Sequence, residues 1–200
     1  GMFEQTMFNT VALENDLTAA MTSERIPALA VAVTDRERIL YAQGFGTTAA
    51  DDTGQPVTAQ TLFRIASTTK PMTAALIMSL IEANLLDLDE PVITHIPELR
   101  LSLPDAAEQV TARQLLSHQA GLPSGGEELG YTGPNALLEF VQELLPEYQL
   151  VAPPGVLHSY SNPGYSLLGH LAERVTGEPY GKLMNDCIFA PLGMNRTTFD

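Results

Sequence analysis

The chain has 200 residues, 44% of them hydrophobic, a length that suits one domain or a domain with an attached lobe. Its 24 acidic and 10 basic residues give a formal net charge of -14, and a surface this acidic repels nucleic acids and anionic membranes. No apolar run approaches the roughly 20 residues that a membrane-spanning helix needs. We therefore expect neither a nucleic-acid partner nor a membrane span.

The first part of the sequence predicts a helix and then a β-hairpin. Apolar side chains recur at near-helical spacing, which predicts an amphipathic helix over residues 3–22. Two short apolar runs, residues 28–34 and 38–44, flank a polar turn and predict two antiparallel strands. A loop follows as far as Thr58. Since an isolated two-stranded hairpin is marginally stable in water, the sequence indicates that part of the sheet is missing.

The rest of the sequence predicts helices and loops. One helix is predicted from Ser67 to about Leu85, with Pro71 in its first turn, where proline is tolerated. Thr111 is expected to cap a short helix that runs to Ser117. After a glycine-rich loop over residues 121–134, three more helices are predicted, at residues 134–145, 164–175 and 178–189.

Ser67 lies at the start of this predicted helix, and Lys70 follows it three residues later. Residues three apart lie on one helical face, so the hydroxyl and the amine are expected within hydrogen-bond reach. A serine hydroxyl becomes an effective nucleophile beside a base or a positive charge, and a helix N-terminus favours a developing oxyanion. The pattern alone is common, however, and the alternative is an N-cap serine followed by a surface lysine.

A second segment, Tyr160-Ser161-Asn162, lies just before another predicted helix. A phenol can transfer a proton, and an amide can hold a substrate carbonyl. The alternative interpretation is a buried tyrosine next to an N-cap asparagine.

Three stretches that include these motifs resemble, in the same order, the class C β-lactamase-like serine hydrolases. They are residues 64–90, residues 111–122 with Leu115-Leu116-Ser117-His118, and residues 153–198 with Ala190-Pro191-Leu192-Gly193-Met194. That family includes β-lactamases, penicillin-binding D-Ala-D-Ala carboxypeptidases, D-amino-acid peptidases and esterases. The resemblance implies an α/β fold of the β-lactamase/transpeptidase type, in which an antiparallel sheet packs against helices beside an all-helical lobe.

The resemblance also implies roles for four residues. Ser67 would be the acylated nucleophile, Lys70 would share in proton handling, and Tyr160 would take the serine proton and later activate water. Asn162 resembles the residue that orients the amide or ester side chain of the substrate. Whether the lysine or the tyrosine is the base stays open, because closely placed groups titrate together. No cofactor or metal is implied, since the sequence has no clustered metal ligands and no phosphate-binding Gly-Lys loop.

The sequence departs from the family at a third motif, Lys or His followed by any residue and then Gly, on a strand that supplies a second N–H to the oxyanion. We find no such motif, so we expect the C-terminal strands to be absent. Residues 1–60 would form the first helix and hairpin and residues 61–200 a mainly helical lobe, together one incomplete domain. We expect this chain alone to be weakly active or inactive, and to be covered by a second copy or by the missing half.

Two functional hypotheses remain. The first is a serine hydrolase that acts through an acyl-enzyme on β-lactam, ester or D-amino-acid amide carbonyls, with a small-molecule or peptide-like substrate. The alternative is a truncated or degenerate half-hydrolase that binds a ligand without turnover. The fold does not choose the substrate. Since neither a basic nor an apolar leader follows Met2, we expect a cytoplasmic location.

The remaining histidines and the single cysteine receive structural interpretations. His95, His158 and His170 lack metal-ligand spacing and are expected to be structural or exposed. His118 is a candidate for ordering a loop near the site, rather than for catalysis. Cys187 excludes an intrachain disulfide and is expected to be a buried thiol on an apolar helix face.

Overall fold

The computed structural model describes residues 9–49, 51, 53–125 and 130–199. The chain divides into two compact units, Gly1–Arg64 and Ile65–Asp200. The beginning of the first predicted helix, residues 3–8, and residues 126–129 of the glycine-rich loop lie outside the described residues.

The first unit begins with helix α1, Thr10–Glu24. The side chain of Asn9 caps it by accepting a hydrogen bond from the Ala12 N–H at 3.1 Å, and Arg25 ends it in the left-handed conformation. A helix is confirmed, but α1 buries none of its side chains, and Val11 is 66% exposed. Leu13, Leu17 and Met21 are half-buried, so the amphipathic face that the spacing predicts is covered only in part.

The predicted hairpin is confirmed. Strands β1, Ala28–Thr34, and β2, Ile39–Gly46, pair antiparallel, with a bulge near the turn end of β1. The Asp35 carboxylate stabilises the turn by accepting hydrogen bonds from the backbone N–H groups of Glu37 and Arg38, both at 2.8 Å. Among the described residues the sheet has these two strands.

The second unit is helical. Its α-helices are α2 (Thr69–Glu82), α3 (Ala112–Leu116), α4 (Ala136–Glu139), α5 (Asn162–Thr176) and α6 (Tyr180–Met184). Three 3-10 turns, Ala66–Thr68, Val92–Thr94 and Leu145–Glu147, and two π-helical turns, Phe140–Leu144 and Asn185–Phe189, complete it.

Local signals explain where these helices begin and end. Thr111 caps α3 as predicted, in a capping box that Gln114 completes. The predicted helix over residues 134–145 is instead a short α-helix that continues into the π and 3-10 turns. Pro146 accounts for this, because it lacks an N–H and clashes with the carbonyl four residues earlier in regular α-helix. Gly177 ends α5 in the left-handed conformation, as predicted.

Helix α5 lies at the centre of the second unit, packed against α2, α3, α4 and α6. Its buried face meets a single apolar core to which α2 contributes Leu76, Ile77 and Leu80 and α5 contributes Leu167, Leu168 and Leu171. Burying a leucine or isoleucine side chain contributes about 1.5–3 kcal/mol. This core fixes the N-terminal ends of α2 and α5 relative to each other.

The expected burial of Cys187 is wrong, because its thiol is exposed. Cys187 lies in the π-helical turn at the end of α6, where each turn holds more residues than in an α-helix. The side chains that face the core there are Ile188 and Phe189. Periodicity based on 3.6 residues per turn therefore assigns the wrong face.

Candidate active site

The candidate nucleophile lies where α2 begins. Ser67 is the middle residue of the 3-10 turn that leads into α2, and Lys70 is the second residue of the helix. The Lys70 Nζ donates a hydrogen bond to the Ser67 Oγ at 3.0 Å, so the contact expected from their spacing is confirmed. Neither this turn nor α2 has a side-chain cap, which excludes the interpretation of Ser67 as an N-cap serine.

Tyr160 reaches the same serine from a distant part of the chain. Its hydroxyl donates to the Ser67 Oγ at 2.7 Å, and its ring centroid lies 4.7 Å from the Lys70 Nζ. The serine oxygen therefore accepts two hydrogen bonds, one from an ammonium and one from a phenol. Tyr160 is 44% exposed, so it is not the buried tyrosine of the alternative interpretation.

Asn162 completes the group. Its Oδ1 accepts a hydrogen bond from the Lys70 Nζ at 2.6 Å. It is not a helix cap, because Ser161 caps α5 by accepting from the Gly164 N–H at 3.1 Å. The structure thus brings all four residues singled out in the sequence into one hydrogen-bonded group.

The backbone just before the serine carries strain. Ala66 has a φ of 44°, in the left-handed region that costs a residue with a Cβ about 1–2 kcal/mol. Such outliers concentrate at functional sites, where the surrounding structure holds them. Sequence reasoning did not find this feature, because alanine carries no signal for a positive φ.

His118, which the sequence suggested as a residue that orders a loop near the site, lies beside Tyr160. It follows α3 with a φ of 58°, and its Nδ1 accepts a hydrogen bond from the Ser161 N–H at 3.0 Å. Its ring stacks on that of Tyr160 at a centroid distance of 4.5 Å. Burial, then the charges of His158 and Lys70, lower the pKa of the His118 imidazole below its usual 6.5.

Tyr165 supports this cluster from α5. Its hydroxyl donates to the Leu116 carbonyl at 3.1 Å, which ties α5 to the end of α3. Its ring lies 5.2 Å from the His118 ring and 5.6 Å from the Lys70 Nζ. Burial is the main cause that raises the pKa of the Tyr165 phenol above its usual 10.

His95 and His170 lie apart from this group, whereas the exposed His158 has its ring 5.7 Å from that of His118. His95 pairs with Glu90 at 2.7 Å, and His170 is buried with its Nδ1 3.4 Å from the Glu173 carboxylate. Across the part of the chain that the structure describes, no group of three or more His, Cys, Asp and Glu side chains could hold a metal ion. Nor does any described helix have the length and apolar character needed to cross a membrane.

Comparison with known proteins decides the family. A family model described as "Beta-lactamase" matches residues 13–200. The chain belongs to the beta-lactamase family. This confirms the resemblance found in the motifs, and with it the β-lactamase/transpeptidase-like fold, in which the present chain has helices and a two-stranded antiparallel sheet.

Similar proteins include hydrolases. The chain is 33% identical over 192 residues to "Unguisins hydrolase ungD" of Aspergillus violaceofuscus, covering 92% of the chain and 33% of that protein. Among solved structures it resembles an octameric penicillin-binding protein homologue from Pyrococcus abyssi, with a TM-score of 0.79, 31% identity and coverage of 94% and 44% of the two chains. It also resembles "EstCE1, a hydrolase with promiscuous acyltransferase activity", with a TM-score of 0.78, 28% identity and coverage of 92% and 51%.

Coverage of these beta-lactamase family members is partial. The chain spans about a third of the length of the curated relatives it matches and about half of the solved structures.

Proposed function

We propose that Ser67 is the acylated nucleophile of a serine hydrolase that acts on β-lactam, ester or D-amino-acid amide carbonyls. The observation that carries this proposal is the convergence of Lys70 and Tyr160 on the Ser67 Oγ, at 3.0 and 2.7 Å. A lysine amine or a tyrosine phenolate can take the proton of a serine hydroxyl, and the other group, still protonated, can stabilise the negative charge that develops on the serine oxygen. Ser67 is exposed, so a carbonyl carbon can approach it.

The proposed reaction has two halves. In the first, one member of the pair acts as the base in its deprotonated form, either Lys70 as the free amine or Tyr160 as the phenolate. The Ser67 Oγ bonds to the carbonyl carbon while its proton passes to that base, and the tetrahedral oxyanion then expels the leaving group, which takes up that proton. In the second, water gives up a proton to the same base as it attacks the acyl-enzyme, and that proton returns to the Ser67 Oγ as the bond between the Oγ and the acyl carbon breaks and the acid is released. Since the lysine and the tyrosine are coupled through one oxygen, the proton belongs to the pair.

Asn162 is proposed to orient the amide or ester side chain of the substrate. Its amide can do so because Lys70 binds the Oδ1 at 2.6 Å, which directs the NH₂ group away from the lysine. The Ser67 N–H, in the first turn before α2, is proposed as one oxyanion donor, because the first N–H groups of a helix have no partner within it.

The missing Lys/His-x-Gly motif limits the activity expected of this chain. In other enzymes with an oxyanion hole, loss of one hydrogen-bond donor to the oxyanion lowers kcat by about 10²–10³. We therefore propose that this chain forms the acyl-enzyme slowly and turns over more slowly than a site with both donors. The alternative of a binding module without turnover predicts no acyl-enzyme at all.

Intact-mass spectrometry tests the proposal. The chain is incubated with a fluorophosphonate and, separately, with a fluorescent penicillin, beside Ser67→Ala and the matched control Ser124→Ala, which removes an exposed loop hydroxyl. We expect a single adduct on the wild type and the control and none on Ser67→Ala. No adduct from either reagent on a chain shown to be folded by circular dichroism would refute the enzyme proposal and leave the binding module.

A further inference from the structure

Two chain segments that are hydrogen-bonded to each other lead up to Tyr160: residues 118–121 after α3 and residues 151–159 before α5. We call this pair of segments the strap. The segment after α3 accepts three backbone hydrogen bonds from the segment before α5: Val151 N–H to Gly121 at 2.9 Å, Gly155 N–H to Gln119 at 2.7 Å, and Ser159 N–H to His118 at 2.8 Å. These bonds join parts of the chain that lie 30 or more residues apart. They fix the backbone just before Tyr160.

His118 binds the residues before and after Tyr160, and its ring lies against the Tyr160 ring. Its carbonyl accepts from the Ser159 N–H and its Nδ1 accepts from the Ser161 N–H at 3.0 Å, so the residues before and after Tyr160 are both bound to one histidine. Its imidazole also stacks on the phenol ring, with an interplanar angle of 33°. The backbone on either side of Tyr160 and the face of its ring are therefore all in contact with His118.

The hydrogen bond to Ser161 requires a particular protonation state. An Nδ1 that accepts from an amide carries no proton, so the imidazole is the neutral tautomer with its proton on Nε2. Among the described residues, the titratable groups that face the ring are His158 at 5.7 Å, Tyr160, Tyr165 and Lys70. His158 and Lys70 oppose a positive charge on it, as does its burial.

We propose that neutral His118 is a positioning residue that aims Tyr160 at Ser67, and that protonation of its Nδ1 releases Tyr160. Protonation replaces the acceptor by a donor that points at the Ser161 N–H, so that hydrogen bond is lost and the two N–H groups oppose each other. The consequence for rate rests on the function proposed above. The consequence for the geometry of Tyr160 does not.

Two substitutions separate the acceptor from the ring. His118→Asn keeps an acceptor near the Nδ1 position, tolerates the positive φ, and cannot become charged in this range. His118→Phe keeps a ring and removes the acceptor. His158→Gln is the matched control, because it removes the neighbouring imidazole and leaves the bond to Ser161.

The kinetic readout is the rate of labelling by the fluorophosphonate from about pH 5 to 8, the range of histidine titration. For the wild type, we expect the maximal labelling rate to fall as the pH is lowered through the midpoint of the His118 titration. For His118→Asn, we expect a rate within about threefold of the wild type at neutral pH, without this fall of the rate on the acid side. For His118→Phe we expect a loss of roughly tenfold or more in the maximal rate, with less change in the concentration for half-saturation. An unchanged fall on the acid side in His118→Asn, or a wild-type rate in His118→Phe, would overturn the proposal.

Nuclear magnetic resonance of histidine labelled with ¹⁵N and tyrosine labelled with ¹³C tests the geometry without any activity. We expect His118 to show the Nε2–H tautomer, a midpoint below 6.5, and a shift of the Tyr160 ring signal with the same midpoint. His158→Gln should raise the His118 midpoint. If the chain is never labelled at Ser67 but these signals move together, the proposed function fails and the positioning role stands. If the Tyr160 signal ignores the His118 titration, the positioning role fails.

Discussion

The Lys70 ammonium donates a hydrogen bond to the Asn162 Oδ1 at 2.6 Å, although the two residues are 92 positions apart in the chain. The same ammonium binds the Ser67 Oγ at 3.0 Å. Lys70 therefore links the 3-10 turn before α2, which carries the candidate nucleophile, to the first turn of α5, which carries the candidate substrate-binding amide. The consequences of this arrangement can be measured.

Replacing Lys70 should abolish most of the reactivity of Ser67. Lys70→Met keeps most of the side-chain volume but removes the charge and both hydrogen bonds, so we expect the rate of fluorophosphonate labelling to fall by about a hundredfold or more. The chain has one other lysine, Lys182, which is exposed and paired with Asp186 and Glu178. Lys182→Met should label like the wild type, and equal losses in the two variants would contradict the role of Lys70.

Removing one hydroxyl oxygen tests Tyr160. Tyr160→Phe keeps the ring that stacks on His118 but loses the bond to Ser67, so labelling should slow by roughly a hundredfold while the melting temperature stays near that of the wild type. Tyr131→Phe is the control, since it removes an equivalent exposed hydroxyl, bound to Glu143. If Tyr160→Phe is labelled at the wild-type rate, the Tyr160 phenol takes no part in the reaction.

Gly121 should tolerate no side chain. Its φ is +77°, and an added Cβ would lie 2.0 Å from the Ala152 carbonyl oxygen in the strap. Gly193 has a similar φ of +68° but no atom within 4 Å of such a Cβ. By chemical denaturation we expect Gly193→Ala to cost about 1 kcal/mol, from backbone strain alone, and Gly121→Ala at least about twice as much. Equal costs would show that the strap yields to the added methyl group.

The stability of the fold should fall in weak acid because of His118. Its pKa is lowered in the folded chain, so the unfolded chain binds more protons between the two pKa values. Its contribution to the free energy of unfolding is therefore complete above the usual 6.5 and is lost as the pH falls through the folded value. Denaturant titrations from about pH 8 to 5 should show a smaller decline for His118→Asn than for the wild type. Parallel curves would mean that other groups cause the decline.

Much of the local structure could be predicted from the sequence. The hairpin, the cap at Thr111, the end of α5 at Gly177 and the contact between Ser67 and Lys70 depend on neighbouring residues, and all four are confirmed. Periodicity failed where the backbone departs from 3.6 residues per turn, as at Cys187. On α1 the predicted apolar face is covered only in part, since Leu17 and Met21 are half-buried while Val11 is 66% exposed.

The sequence by itself determined the family, the order of its motifs and the four residue types at the candidate site, because these depend on residue identity and on short spacings. Only the tertiary structure decided that Tyr160 reaches Ser67 across 93 positions and that His118 holds Tyr160 through Ser161 across 43. Such contacts follow from the packing of α5 against α2 and α3 around a common core. No local preference of the chain encodes them, since their geometry exists only after that core has formed.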